Sequence, residues 1–254
     1  MTPPIGLQLF TLRDVLKVDL PGTLRRVAEI GYQGVEWAGF YDHKPAELRK
    51  MLDDLGLKSA GIHNGIDALQ QCLPGVVETA GTLGHDCVIV PWSGQEYRSV
   101  AGYTRLAHEL SGIGAKLKES GITLCYHNHD FEFVKQSDGR TGFEILIQES
   151  AKEGLSFEVD MGWVYVGTGT PPEAFASKLA GRVPLLHIKD FKAPLESRKM
   201  CELGTGEVDY RPTIAQAAGW GTRWLIVEQD TNWMNNDPMA SVTTSYQALK
   251  KLTD

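Results

Sequence analysis

Amphipathic helical stretches and short apolar runs alternate along this chain, and a glycine stands at nearly every join between them. From Gly31 the chain reads Gly-Tyr-Gln-Gly-Val-Glu-Trp, from Gly56 Gly-Leu-Lys-Ser-Ala-Gly-Ile-His, and from Gly84 Gly-His-Asp-Cys-Val-Ile-Val-Pro. The same join recurs from Gly121, Gly154, Gly181 and Gly219. Glycine closes helices because it takes the left-handed conformation without a Cβ clash. The short apolar run after it has the length of a strand buried on both faces. With the opening run Ile5 to Phe10, the pattern predicts eight strands. Helices are predicted between them, for example over Leu20 to Ile30, Ala46 to Leu55, Tyr103 to Glu119 and Ser241 to Lys251. Eight strand-then-helix units within 254 residues close into an α/β barrel of the (β/α)8 type more readily than they spread into an open sheet. An open dinucleotide-binding sheet would place Gly-x-Gly-x-x-Gly after its first strand; here Thr11-Leu12-Arg13-Asp14 stands in that place.

Composition fits one packed domain over residues 1–254, since 42% of residues are hydrophobic and 22% charged, close to the globular average. No linker or low-complexity tract marks a second domain. The formal net charge of -7 argues against a nucleic-acid surface, which runs on clustered Lys and Arg. A small neutral or metal-chelating substrate is expected instead. The four cysteines, Cys72, Cys87, Cys125 and Cys201, lie far apart with no Cys-x-x-Cys pair, and are expected as buried thiols in a reducing compartment. Met1-Thr2-Pro3-Pro4 lacks the basic start and long apolar run of a signal peptide. No apolar run approaches the roughly 18 to 20 residues that cross a bilayer. A cytoplasmic protein without membrane contact is the expectation.

In such a barrel the chemistry collects at the C-terminal ends of the strands. The first end offers Gln8 and, beyond it, Arg13; the second Glu36 and Trp37; the third His63 and Asn64; the fourth Pro91 and Trp92. The fifth ends in Tyr126-His127-Asn128-His129-Asp130-Phe131-Glu132, and the sixth in Glu158-Val159-Asp160 with Trp163 just after. The seventh ends in His187-Ile188-Lys189-Asp190 and the eighth in Glu228-Gln229-Asp230. A ring of Glu, Asp, His and Glu is not core filling, because a buried charge is costly unless it is paired or bound to metal. Mixed carboxylate and imidazole ligands suit a divalent ion such as Mn2+, Co2+, Mg2+ or Zn2+. His127 and His129 are two apart on one strand and so share a face. Asp160 could instead cap a helix or turn, and His43, His85 and His108 lie away from the strand ends. Gly167-Thr168-Gly169-Thr170 is expected to be a loop rather than a phosphate cradle.

The motifs Tyr-His-Asn-His-Asp-Phe-Glu-Phe from Tyr126, Glu-Val-Asp-Met-Gly-Trp from Glu158 and His-Ile-Lys-Asp from His187 occur in that order. Gly-Thr-Gly-Glu-Val-Asp from Gly204 and Val-Glu-Gln-Asp from Val227 follow. Together they resemble the xylose isomerase-like TIM barrels. Within these the chain looks closest to the sugar phosphate isomerase/epimerase group, which includes ketose 3-epimerases, hydroxypyruvate isomerase and inosose dehydratase. The likeness spans essentially the whole chain. It implies one divalent metal, manganese first and Co2+, Mg2+ or Zn2+ as alternatives. Its ligands are a carboxylate from strand five, an Asp from strand six, a His from strand seven and a Glu from strand eight. Carried onto this sequence, the last three are Asp160, His187 and Glu228. Many relatives have Glu where this chain has Tyr126 or His127; the carboxylate at hand is Glu132, with His127 as the alternative ligand. Relatives also often carry a His three residues after the strand-six Asp, where this chain has Trp163.

The implied chemistry is proton transfer next to the carbonyl of a sugar or polyol, assisted by the metal and passing through an enediolate. Glu132 or Glu228 is expected as the base, with His129 and Lys189 completing the catalytic group. His63, Trp92, His127, Trp163 and Gln8 are expected to bind the substrate. Return of the proton to the other face gives epimerisation, and return to the next carbon gives isomerisation. Loss of a β-oxygen gives dehydration or elimination, so a lyase is the runner-up. An abasic-site endonuclease would need more metal ligands and a basic face, and a non-catalytic sugar-binding subunit would have no use for the metal set. A homodimer or a paired subunit is the expected assembly.

Overall fold

A computed structural model describes residues 2–254 of the chain. Eight parallel strands close into a barrel: β1 (Ile5–Gln8), β2 (Gly34–Trp37), β3 (Lys58–His63), β4 (Cys87–Val90), β5 (Thr123–His127), β6 (Ser156–Asp160), β7 (Leu185–Ile188) and, as the last, β10 (Trp224–Val227), which pairs with both β7 and β1. Between β7 and β10 the chain adds an antiparallel pair, β8 (Asp190–Phe191) with β9 (Met200–Cys201). The predicted helices are present as Leu20–Ile30, Pro45–Leu55, Val100–Lys118 and Pro238–Thr253. Their starts follow the capping chemistry: Pro45 and Pro238 occupy first turns, and Ser99 Oγ accepts the Gly102 N–H at 3.0 Å. The first strand stops at Gln8, whose side chain accepts the Phe10 N–H and starts a 3-10 turn over Leu9–Leu12. Two joins differ from expectation: Gly154 does not take the left-handed conformation, and the last join is shifted along the chain. Gly221 (φ +86), not Gly219, takes the left-handed conformation, because Ala218–Trp220 adds a further 3-10 turn.

Alternate strand residues point into the barrel and fill it in layers. Cys87, Ile89, Cys125 and Leu185 pack together with Trp224. Where Ile226 and Ile89 fill the space, the neighbouring strand carries glycine: a Cβ at Gly6 would lie 2.6 Å from Ile226 Cδ1, and one at Gly61 2.7 Å from Ile89 Cδ1. Two residues further toward the C-terminal end, the same inward positions become polar: Gln8, Glu36, His63, His127, His187 and Glu228. Strand register sets Gln8 beside Glu36, His127 beside Glu158 and Asp160 beside His187. Outward residues such as Leu7, Val35, Val88, Val159 and Ile188 are buried with the helices in the main core. Cys87, Cys125 and Cys201 are buried as expected, but Cys72 is exposed. It sits at the break between helices Ile66–Gln71 and Leu73–Leu83 and so faces away from the core. Among the described residues no helix is long and apolar enough to cross a membrane.

Candidate metal centre and active site

At the C-terminal mouth of the barrel, His127, Asp160, His187 and Glu228 each offer one ligand atom, and these atoms lie within 4.8 Å of one another. β5, β6 and β7 contribute the first three, and Glu228 follows directly on β10. All four are buried. Asp160 serves two ends at once. Its Oδ1 accepts the Trp163 N–H at 2.9 Å and caps the helix Met161–Thr168. Its Oδ2 accepts no hydrogen bond and faces the Lys189 ammonium at 3.1 Å. The helix approaches β7 this closely because residue 162 is glycine; a Cβ there would collide with the Lys189 carbonyl oxygen. Lys189 Nζ also lies 2.8 Å from Glu228 Oε2 and 3.1 Å from Asp230 Oδ2. Beneath this tier sit Glu36 and Glu158, both fully buried, against His63, His127 and His187.

Charge in the cluster is unbalanced. Four buried carboxylates, Glu36, Glu158, Asp160 and Glu228, and the half-buried Asp230 meet one lysine and the imidazoles. Burial followed by the Glu36 charge raises the Glu158 carboxyl, and burial raises Asp160 despite Lys189. Asp230 is pushed up to about 6 by burial and by Glu228. Burial would raise Glu36 and Glu228 too, but His63 and His187 hold Glu36 low, and Lys189 and His187 hold Glu228 low. Against burial, Glu36 lifts His63 to about 10, and Glu158, Glu36 and Glu228 lift His187 well up. His127 and His129 go the other way. Burial, then the neighbouring His187, holds His127 low, and burial with Lys189 takes His129 to about 3, so both rings are neutral. Raised carboxyls, a buried Asp160 oxygen without a hydrogen bond and a mixed N,O donor set are what a site for a divalent cation requires.

Of the residues expected to act on substrate, His63, Trp92, His127, His129, Lys189 and Glu228 line one cavity of about 410 Å³ with Phe10 and Asp230. Glu132 is not brought into the ligand group. Its Oε1 accepts the Tyr126 hydroxyl at 2.7 Å and its Oε2 accepts the His129 N–H at 2.8 Å, so both oxygens are engaged in holding the turn Phe131–Phe133. His127 stands at the strand-five position instead. Gln8 is buried below the cavity, donating to Glu36 Oε1 at 2.6 Å rather than meeting substrate. Trp163 is also buried: it packs on Phe191 and Met200 and stands behind the cavity wall, its ring centroid 5.8 Å from that of His129 and 5.4 Å from Lys189 Nζ. Asp190 is a scaffold. It accepts the N–H groups of Phe191, Gly204, Gly206 and Val208 at 2.9 to 3.1 Å and so shapes the Gly-Thr-Gly-Glu-Val segment. Gly167-Thr168-Gly169-Thr170 is a helix end, with Gly169 left-handed (φ +65). The residues missed as site groups are Glu36, Glu158 and Asp230, although all three stand at strand ends.

Glu132 gives a test of its own. Burial lifts its carboxyl from 4.5 to about 7. The native state then keeps a proton that the unfolded chain releases between those values, so stability falls as pH rises through this window, by roughly 3 kcal/mol. Glu132→Gln should therefore gain on the wild type by up to about that amount between pH 5 and pH 8 in urea unfolding, and should keep its metal. Loss of Mn2+ from Glu132→Gln, with retention in His127→Asn, would restore Glu132 as the ligand.

Residues 24–252 match the sequence profile described as xylose isomerase-like TIM barrel. The chain is 23% identical over 269 residues to the inosose dehydratase of Klebsiella pneumoniae (strain 342), covering 89% of this chain and 88% of that protein. The crystal structure of a sugar phosphate isomerase/epimerase from Parabacteroides distasonis superposes with a TM-score of 0.85 at 21% identity, covering 98% and 94% of the two chains. That of L-ribulose 3-epimerase superposes with a TM-score of 0.73 at 17% identity, covering 99% and 94%. These superpositions show a shared fold.

Proposed function

This chain belongs to the xylose isomerase-like TIM barrel family, and from that premise we propose that it is a metal-dependent isomerase or epimerase of a small sugar or polyol, acting by proton transfer next to a carbonyl. One observation carries the reading. The cavity at the barrel mouth has Glu228, Asp230, Lys189, His127 and His129 on its wall, while Asp160 and His187 complete a four-residue ligand group with His127 and Glu228. A divalent ion held by those four residues would supply Lewis-acid polarisation of the carbonyl and compensate charge on its oxygens. Two imidazoles with two carboxylates suit Mn2+, Co2+ or Zn2+ better than Mg2+.

Glu228 is kept ionised by Lys189 and His187, so its Oε atoms can take a carbon-bound proton. The Lys189 ammonium is fixed among three carboxylates and can steady negative charge developing on a substrate oxygen. Neutral His129 can give or accept one hydrogen bond at a hydroxyl. Trp92, half exposed at the rim, offers a flat apolar face to a sugar ring.

A second reading, β-elimination, is favoured by the position of Glu132. Epimerisation needs a proton acceptor on one face of the substrate and a donor on the other. With both Glu132 oxygens engaged, the carboxylates left on the cavity wall are Glu228 and Asp230, side by side on one strand end and sharing Lys189. Proton delivery to a departing oxygen then falls to Asp230, whose carboxyl is pushed up to about 6 and so can carry the proton, and the similarity to an inosose dehydratase points the same way.

NMR of ketoses, 3-keto sugars and inososes incubated with the protein and Mn2+ in D2O tests both readings. Deuterium is expected at the carbon next to the carbonyl, and the product then separates epimerisation, isomerisation and elimination. An absence of exchange across the whole panel would sink both.

A further inference from the structure

The tier beneath the ligand group is used neither by the cavity nor by the proposed proton transfer. Glu158 Oε2 lies 2.9 Å from His127 Nδ1, 3.0 Å from His63 Nε2 and 3.2 Å from His187 Nε2. Glu36 Oε1 lies 2.9 Å from both His187 Nε2 and His63 Nε2, and is itself held by the Gln8 amide at 2.6 Å. The opposite nitrogens of the two shared rings face upward. His127 Nε2 is 3.8 Å from Asp160 Oδ2, and His187 Nδ1 is 3.0 Å from Glu228 Oε2. The two imidazoles therefore stand between a carboxylate tier below and a carboxylate tier above.

We propose that Glu36 and Glu158 are positioning residues, which accept the N–H of His187 Nε2 and His127 Nδ1 and thereby leave His187 Nδ1 and His127 Nε2 to face the metal. The inference rests on the metal reading above. A ring that binds a cation keeps one N–H, on the nitrogen away from the cation, and the stronger acceptor fixes which nitrogen that is. In a low-dielectric interior a carboxylate is the strongest acceptor at hand, and metal-bound histidines commonly donate their other nitrogen to such a group. Stability does not explain the pair. Two buried carboxylates, each leaving one oxygen without a partner, cost more than apolar residues of the same shape would. What they do is hold three rings in one orientation each. The strand geometry makes this possible, because Glu158 precedes Asp160 by two and faces the same way, one layer deeper.

The test is nitrogen-15 NMR of histidine-labelled, metal-free protein, beside a Mn2+ titration followed by electron paramagnetic resonance. Wild-type His127 should carry its proton on Nδ1. Glu158→Gln has an amide that can donate as well as accept, so it should shift His127 toward the Nε2–H form and weaken Mn2+ binding by about 10- to 100-fold. Glu36→Gln should weaken binding to a similar extent through His187. Unchanged affinity in both variants overturns the proposal. So does a loss of affinity with the His127 tautomer unchanged, which would make Glu158 a direct ligand. Should Glu158→Gln fail to fold, Glu158→Asp keeps the charge but shortens its reach, and the same loss of affinity with a disturbed His127 signal is expected. No substrate enters either measurement, so a sugar panel without exchange would sink the proposed function and leave this inference standing.

Discussion

Replacing Lys189 with Met is expected to destabilise the metal-free protein by about 3–5 kcal/mol, the usual cost of removing one partner from a buried ion pair. The ammonium lies within 3.1 Å of Asp160, Glu228 and Asp230. Without it, three carboxylates would face one another, two of them buried. For a chain of this size the loss corresponds to a fall in Tm of roughly 10 °C. Mn2+ should reverse it, because a divalent cation among the same oxygens replaces the missing charge, and ligand at 100 to 1,000 times Kd stabilises by about 3–4 kcal/mol. The variant should gain more from Mn2+ than the wild type, whose own lysine competes for those oxygens. The loss should also shrink at acid pH, where the carboxylates can take up protons. Thermal unfolding at pH 8, in chelator and in Mn2+, reads all of this. A Lys189→Met protein that melts with the wild type in chelator would show that the carboxylates do not depend on the ammonium.

The barrel was legible in the sequence because its strands carry their layering in plain view. A small or apolar inward residue is followed two positions later by a polar one in six strands: Gly6 and Gln8, Gly34 and Glu36, Gly61 and His63, Cys125 and His127, Leu185 and His187, Ile226 and Glu228. That alternation is local, and it also points to the ligand group and to the tier beneath it. Glu132 escaped it because it lies beyond the strand, in a turn placed by distant packing. Phe133 anchors that turn against Phe143 and Phe175, with ring centroids 5.6 and 5.3 Å away, and nothing in the local pattern foretells where the neighbouring carboxyl will point. Trp163 stands behind the cavity wall rather than on it for a related reason. Phe191 and Met200 cover it, and they come from β8 and β9, two strands too short to leave a periodic signal. Gln8 has the right address, but the hydrogen bond to Glu36 turns it inward.

The largest loss of activity is expected from Glu228→Gln, and metal should not restore it. Asp160 and Glu228 both belong to the ligand group, yet only Glu228 lines the cavity. Asp160→Asn keeps an oxygen for the Trp163 N–H, so the helix Met161–Thr168 stays capped. Its defect is then in holding the cation, and the rate of deuterium uptake should climb back as Mn2+ is raised. Glu228→Gln removes a ligand and, on the reading above, the proton acceptor as well. A positioned base typically contributes about 10²- to 10⁴-fold, so a deficit of that size should remain once Mn2+ is saturating. Plotting exchange rate against Mn2+ for the two variants separates the roles: one curve rises to near the wild-type plateau, the other levels off far below it. A Glu228→Gln plateau within about tenfold of the wild type would take the base role from Glu228. It would then pass to Asp230, the other carboxylate on the cavity wall.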